Sequence, residues 1–226
     1  MDEIATNLEL VRARVAAAAE KSGRKAGDVQ LIAVSKKQDA EKIRAAFEAG
    51  QTVFGESKVQ EARAKIPLLP GALHWQFIGH LQKNKVRHAL PLFEFFHSID
   101  SLDLAQQFDR IANEEGARPR VLIEVNVAGE GSKIGFSPDK VREQMEALLG
   151  LVRLNIEGLM CIPPFAPEAE DSRPYFVMLR ELRDQLEREF DLKLAELSMG
   201  MSNDYEVAIE EGATFVRVGT AIFGSR

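Results

Sequence analysis

Apolar positions along the 226-residue chain switch period repeatedly. Ile4, Leu8, Val11 and Val15 recur at helical spacing within residues 2–22. Asp2 and Glu3 suit the start of that helix and Gly23 its stop. Beyond it, short β-rich runs alternate with helical stretches. The runs predict strands at 31–35, 52–54, 73–78, 95–99, 120–127, 155–160, 194–197 and 214–218. Helices are predicted at 39–49, 57–66, 82–90, 101–115, 138–149, 172–190 and 202–211, with Gly50, Pro67, Pro91 and Gly212 as stops and Pro138 in a first turn. In the longest, Tyr175, Leu179, Leu182, Leu186 and Phe190 keep core spacing.

Strands alternating with helices imply parallel pairing through right-handed crossovers. Eight such units predict an α/β fold: a closed, single-domain (β/α)8 TIM barrel over residues 1–226, with an extra N-terminal helix. An open doubly wound sheet is the alternative. No Pro-, Ser- or Gly-rich linker divides the chain.

The formal net charge of -6 comes without a dense basic block, so no nucleic-acid footprint is expected. A single cysteine, Cys161, excludes an internal disulfide and suits a reducing compartment. The acidic N-terminus does not resemble a signal peptide, and no apolar run has the length of a membrane span. A cytoplasmic location is expected.

In a barrel, function collects at the C-terminal strand ends. The first strand ends at Ser35-Lys36. An amine held there against apolar walls is disfavoured in its charged form, and a neutral amine is a nucleophile toward aldehydes. After the last strand, Gly219 allows close backbone approach and Thr220 opens a short helix at 220–223. Ser198, Gly200 and Ser202 after strand seven complete a phosphate cup. Closure puts strand eight beside strand one, and so the cup beside Lys36. A phosphorylated aldehyde fits, and pyridoxal 5′-phosphate is the cofactor of that chemistry. Arg217 in place of an acid would donate to an unprotonated pyridine nitrogen and weaken the electron sink.

The chain resembles the pyridoxal phosphate homeostasis protein family, barrels similar to alanine racemase but without its second domain. The matching segments are Ala33–Lys36, Phe54–Glu56 with Val59–Glu61, Trp75–Lys85, His97–Ser101, Val125–Asn126 with Ser132–Gly135, Gly158–Met160, Leu197–Asp204 and Val216–Gly224. The resemblance implies that Lys36 is the Schiff-base lysine and that Arg217 lies at the pyridine nitrogen. It implies that Ser198, Gly219 and Thr220 hold the phosphate with Ser202 nearby, and that Asn126 and Met160 line the ring pocket. It further implies a monomeric carrier in vitamin B6 homeostasis, without established turnover, whose partners are cofactor-dependent apo-enzymes or a regulatory protein. The chain departs from the family pattern at Gln38 and Asp39, where a second lysine and a proline are usual, and at Ser57, where asparagine is usual.

The alternative is a racemase-like enzyme, which needs a second acid/base on the opposite face of the ring. The two tyrosines, Tyr175 and Tyr205, both fall in predicted helices. His74, His88 and His97 are expected to be structural, His80 stands at a strand end, and Cys161 is expected to be a small buried residue. No metal-ligand spacing is present. The loop Gly129–Gly135 is expected to be a mobile segment at the mouth.

Overall fold

A computed structural model describes residues 3–129 and 134–224. Eight parallel strands close into a barrel in chain order: β1 Gln30–Val34, β2 Val53–Glu56, β3 His74–Phe77, β4 Phe95–Ile99, β5 Arg120–Glu124, β6 Asn155–Met160, β7 Glu196–Met201 and β8 Phe215–Val218. The helices are α1 Glu3–Lys21, α2 Ala40–Glu48, α3 Val59–Lys65, α4 Val86–Ala89, α5 Leu102–Glu115, α6 Pro138–Leu149, α7 Arg173–Phe190, α8 Tyr205–Glu210 and α9 Thr220–Phe223.

Successive strand residues point to opposite faces, so each strand serves two cores. Ile32, Val53, Phe95, Leu122, Met160 and Phe215 fill the barrel. Their neighbours Leu31, Phe54, Phe96, Val121, Leu159 and Val216 belong to the larger core shared with the helices. Side-chain caps set several helix starts: Asp39, Ser101 and Ser137 accept from the amides of Lys42, Leu104 and Lys140. Gly116, at φ +65°, ends α5 in the left-handed conformation.

The added helix α1 buries Ile4, Leu8, Val11, Val15, Ala18 and Ala19 and packs on α8 and α9. Polar contacts fix its seat. Asn7 donates to Ile222 O at 3.0 Å and Arg12 to Ala49 O at 2.9 Å. Just beyond the helix, Arg24 donates to the carbonyls of Ile209 and Ala213 at the end of α8.

Several elements differ from the sequence expectation, among them the helix expected at 202–211, which starts only at Tyr205. Strand two runs on through Gly55 and Glu56. Strand seven continues to Met201 because a register shift between Ser198 and Met201 absorbs Gly200, which has φ +90°. A Cβ there would lie 2.6 Å from Ala208 Cβ, so only glycine fits without movement. Strand five stops at Glu124 because the chain returns: Phe136 N donates to Glu124 O at 2.9 Å and Asn126 N to Phe136 O at 2.8 Å. The helix expected at 82–90 is a 3-10 turn, Lys83–Lys85, followed by the single turn of α4.

Gly158 on β6 faces Glu196 on β7 so closely that a Cβ would lie 1.8 Å from Glu196 O. Two backbones meet there and neither can yield cheaply. Gly158→Ala is expected to cost on the order of 3 kcal/mol or more, read as a lowered urea midpoint.

Candidate functional site

Lys36 follows β1 directly and is half-buried. Ser35 N donates to Gly55 O at 3.0 Å, carrying the ladder one residue further, and Gln38 N closes a turn onto Ser35 O at 3.0 Å. Lys37 sits in that turn at φ +62°, a conformation that side-chain-bearing residues rarely adopt. Its amide is held by the Glu61 carboxylate.

A partly buried ion cluster fastens the turn from beneath. Lys65 Nζ donates to Ser35 O at 2.8 Å, to Glu56 Oε1 at 2.9 Å and to Glu61 Oε1 at 2.6 Å. Ser35 Oγ donates to the same Glu56 oxygen at 2.7 Å. Burial pushes the fully buried Glu56 carboxyl up, and the bonds from Ser35 and Lys65 offset only part of this. Burial also acts upward on Glu61, but Lys65 and the Lys37 amide outweigh it and leave that carboxyl low. Lys65→Met should cost about 3–5 kcal/mol because it strands a buried acid. Adding Glu56→Gln should restore part of the loss in a denaturation double-mutant cycle; strictly additive losses would refute the coupling.

On the other side of the closing seam lies a cradle of backbone donors. Ser202, just beyond β7, accepts from Gly219 N at 3.2 Å and Ala221 N at 3.4 Å, so two backbone donors converge on one hydroxyl oxygen. Met201 N donates to Asp204 Oδ1 at 2.7 Å, which fixes the turn carrying Ser202. Gly219 lies against β1, where a Cβ would come within 3.3 Å of Val34 Cβ. Thr220 is exposed at the first position of α9. Cradle and Lys36 therefore share one seam.

Arg217 and Ser198 occupy the barrel interior. Arg217 donates through Nη1 to Ser198 Oγ at 2.6 Å and through Nη2 to Cys161 O at 2.9 Å. His97 Nδ1 meets the same serine oxygen at 2.8 Å. Burial disfavours charge on Arg217, which Cys161, Glu124 and Asp204 partly counter. Ser198 is thus placed beside Arg217 and His97, fully buried, while Ser202 takes the cradle. Met160, also buried, caps the interior apolar cluster, and half-buried Asn126 stands just past β5.

Three interior features were not assigned from the sequence: the His97 contact, the Lys65 cluster and Glu124. Glu124 shares the inward phase of Leu122, a signal that alternation along β5 offers. Burial and then the Asp100 carboxylate raise it to about 7, with Arg217 pulling the other way. His80 at the rim meets Asp100 at 2.7 Å. Residues 130–133, with Ser132 and Lys133 of the matched segment and most of the mouth loop, lie outside the described residues. Among the described residues no cluster of His, Cys, Asp and Glu could hold a metal ion, and no helix is long and apolar enough to cross a membrane.

The family profile described as alanine racemase, N-terminal domain, matches residues 4–226. A protein of Aquifex aeolicus named pyridoxal phosphate homeostasis protein is 45% identical over 97% of this chain and 96% of its own length. The chain belongs to this family. The chain is also similar to PipY of Synechococcus elongatus, solved with PLP bound; that structure is 40% identical, covers 98% of this chain and 100% of its own, and superposes with a TM-score of 0.86. An alanine racemase of Clostridium difficile, 19% identical with a TM-score of 0.73, shares the fold over 100% of this chain and 57% of its own.

The raised Glu124 carboxyl gives a pH signature. Its proton is held more tightly in the folded state than in the unfolded chain, so its contribution to stability is complete below about pH 4.5 and is lost as pH rises through about 7. Relative to Glu124→Gln, the wild type should lose roughly 3 kcal/mol across that window. Denaturant melts at several pH values test this, and parallel pH profiles for the two proteins would contradict it.

Proposed function

We propose that this chain binds pyridoxal 5′-phosphate and holds it covalently on Lys36, serving vitamin B6 homeostasis as a carrier and not as a catalyst. The observation that carries the proposal is the pairing across one seam of a strand-end lysine and a cradle of converging N–H groups. The cradle fits the group: the Gly219 and Ala221 amides already hold one oxygen, that of Ser202, in the manner in which such amides hold a phosphate oxygen. The names of the relatives and the PLP-bound state of PipY support the same conclusion.

When bound, the cofactor supplies an aldehyde that an amine captures reversibly. Lys36 would supply the amine that captures the aldehyde, with the carbonyl oxygen released as water. Gly219, Thr220, Ala221 and Ser202 hold the phosphate. Met160 and Asn126 border the ring. Arg217 is a donor with no acceptor site, so it would face a ring nitrogen that is unprotonated. A ring so held is a weak electron sink, which favours retention over turnover. Tyr205 supports this: it is buried on α8 with the Arg14 guanidinium of α1 over its ring at 5.8 Å, and Tyr175 lies on α7.

One observation favours turnover. Glu124, at about 7, is the type of group general acid/base chemistry uses. A panel of amino acids separates the two: the carrier should give no racemised or decarboxylated product above free cofactor, and a clear excess would favour the enzyme.

The covalent assignment has its own test. The protein mixed with pyridoxal 5′-phosphate should show a visible imine band that borohydride bleaches, with the reduced label on Lys36 by peptide mass spectrometry. Lys36→Ala should lack the band. A label elsewhere, or an unchanged band in the variant, would overturn the assignment.

A further inference from the structure

We propose that His97 and Gln76 are positioning residues for Arg217, joined to it through Ser198 in a directed hydrogen-bond chain that runs through the barrel. Arg217 Nη1 lies 2.6 Å from Ser198 Oγ, Ser198 Oγ lies 2.8 Å from His97 Nδ1, and His97 Nε2 lies 2.8 Å from Gln76 Oε1. All four residues are buried and come from β8, β7, β4 and β3.

The direction of every bond follows from donor chemistry. A guanidinium has no acceptor, so Ser198 accepts from Arg217. Gln76 presents its carbonyl oxygen, so His97 donates to it from Nε2. A neutral imidazole has one N–H, which leaves Nδ1 as an acceptor for the serine hydroxyl proton. Burial, then the charges of Arg217 and Arg120, hold His97 far below its ordinary pKa and keep it neutral. Protons therefore point one way, from Arg217 to Gln76, and no member can reverse without breaking its neighbour's bond.

The imidazole is also locked by packing. Its ring stands 5.0 Å from that of Phe95 and 5.2 Å from that of Phe215, which meet each other edge to face at 5.3 Å. Gln76 lines a polar basin of about 650 Å³ at the N-terminal end of the strands, bordered by Arg24, His74, Glu94 and Arg120. The chain thus runs from that basin into the barrel interior, where it ends at buried Arg217. With Nη1 on Ser198 of β7 and Nη2 tied to Cys161 O just past β6, the guanidinium is held at two points.

This inference rests on the proposal that Arg217 meets the cofactor ring nitrogen, and the experiment separates the two. Nitrogen NMR of the imidazole in the protein without cofactor should show neutral His97 protonated at Nε2. A charged ring or an Nδ1–H tautomer overturns the chain whatever the protein binds. With ring-¹⁵N-labelled pyridoxal 5′-phosphate bound, Arg217→Gln should shift the ring-nitrogen resonance. His97→Leu and Gln76→Leu should shift it the same way and raise the cofactor Kd about tenfold, and His97→Gln, which can both donate and accept, should restore it. If Arg217→Gln leaves the resonance unmoved, the ring contact falls and the proposal with it. If Arg217→Gln moves it while Gln76→Leu and His97→Gln each behave as wild type and as His97→Leu respectively, the positioning role fails alone. Should His97→Leu not fold, the tautomer and the other two variants still decide.

Discussion

Strand β1 pairs with β8 from Gln30–Phe215 to Ala33–Val218, and everything at the candidate site depends on that seam. It brings Val34, two residues before Lys36, against Gly219 near the other end of the chain. An open sheet of the same eight strands would leave two edges with unsatisfied backbone groups and would separate the lysine from the cradle. Helix α1 helps hold the seam from outside: it packs on both α8 and α9, and Asn7 takes a carbonyl of α9. The short helix that presents Gly219 and Ala221 is therefore fixed by the first helix of the chain.

Two buried polar systems flank this seam, and they solve the same problem differently. Removing charge from water is costly unless partners replace the lost solvation. Around Lys65 the solution is ionic, with two carboxylates and the Ser35 carbonyl oxygen gathered about one ammonium while Ser35 Oγ donates to Glu56. Around Arg217 it is neutral: hydroxyl, imidazole, amide and carbonyl groups accept or relay its protons. The first anchors backbone, at the turn that carries Lys36. The second orients a side chain whose donors face the interior.

Much of this was legible in the sequence. Alternating strand and helix periods implied the closed barrel, and closure implied that Lys36 meets the loops after strands seven and eight. Strand ends were harder where glycine marks a bulge and not a stop, as at Gly200, or where a carboxylate ends a strand, as at Glu56. Long-range side-chain pairing was the hardest. The spacing of Glu61 and Lys65 announces a helical ion pair, but nothing local says that Lys65 also reaches Glu56 on β2. His97 keeps the inward phase of Phe95, which marks it as interior; its partners lie 21 and 101 residues away and no periodicity names them.

The balance between retention and reaction turns on donor count. A carboxylate against a pyridine nitrogen keeps a proton there and draws electrons toward it. Arginine cannot take that role, because it has protons to share and none to accept. If the guanidinium were loose, its charge could be carried by solvent and its orientation would matter little. Here burial removes the solvent, Ser198 and Cys161 O fix two nitrogens, and neutral His97 adds no competing charge. On the proposed reading, the same features that make the arginine costly to bury would make it selective for a ring nitrogen that accepts, and so for a bound state that lasts.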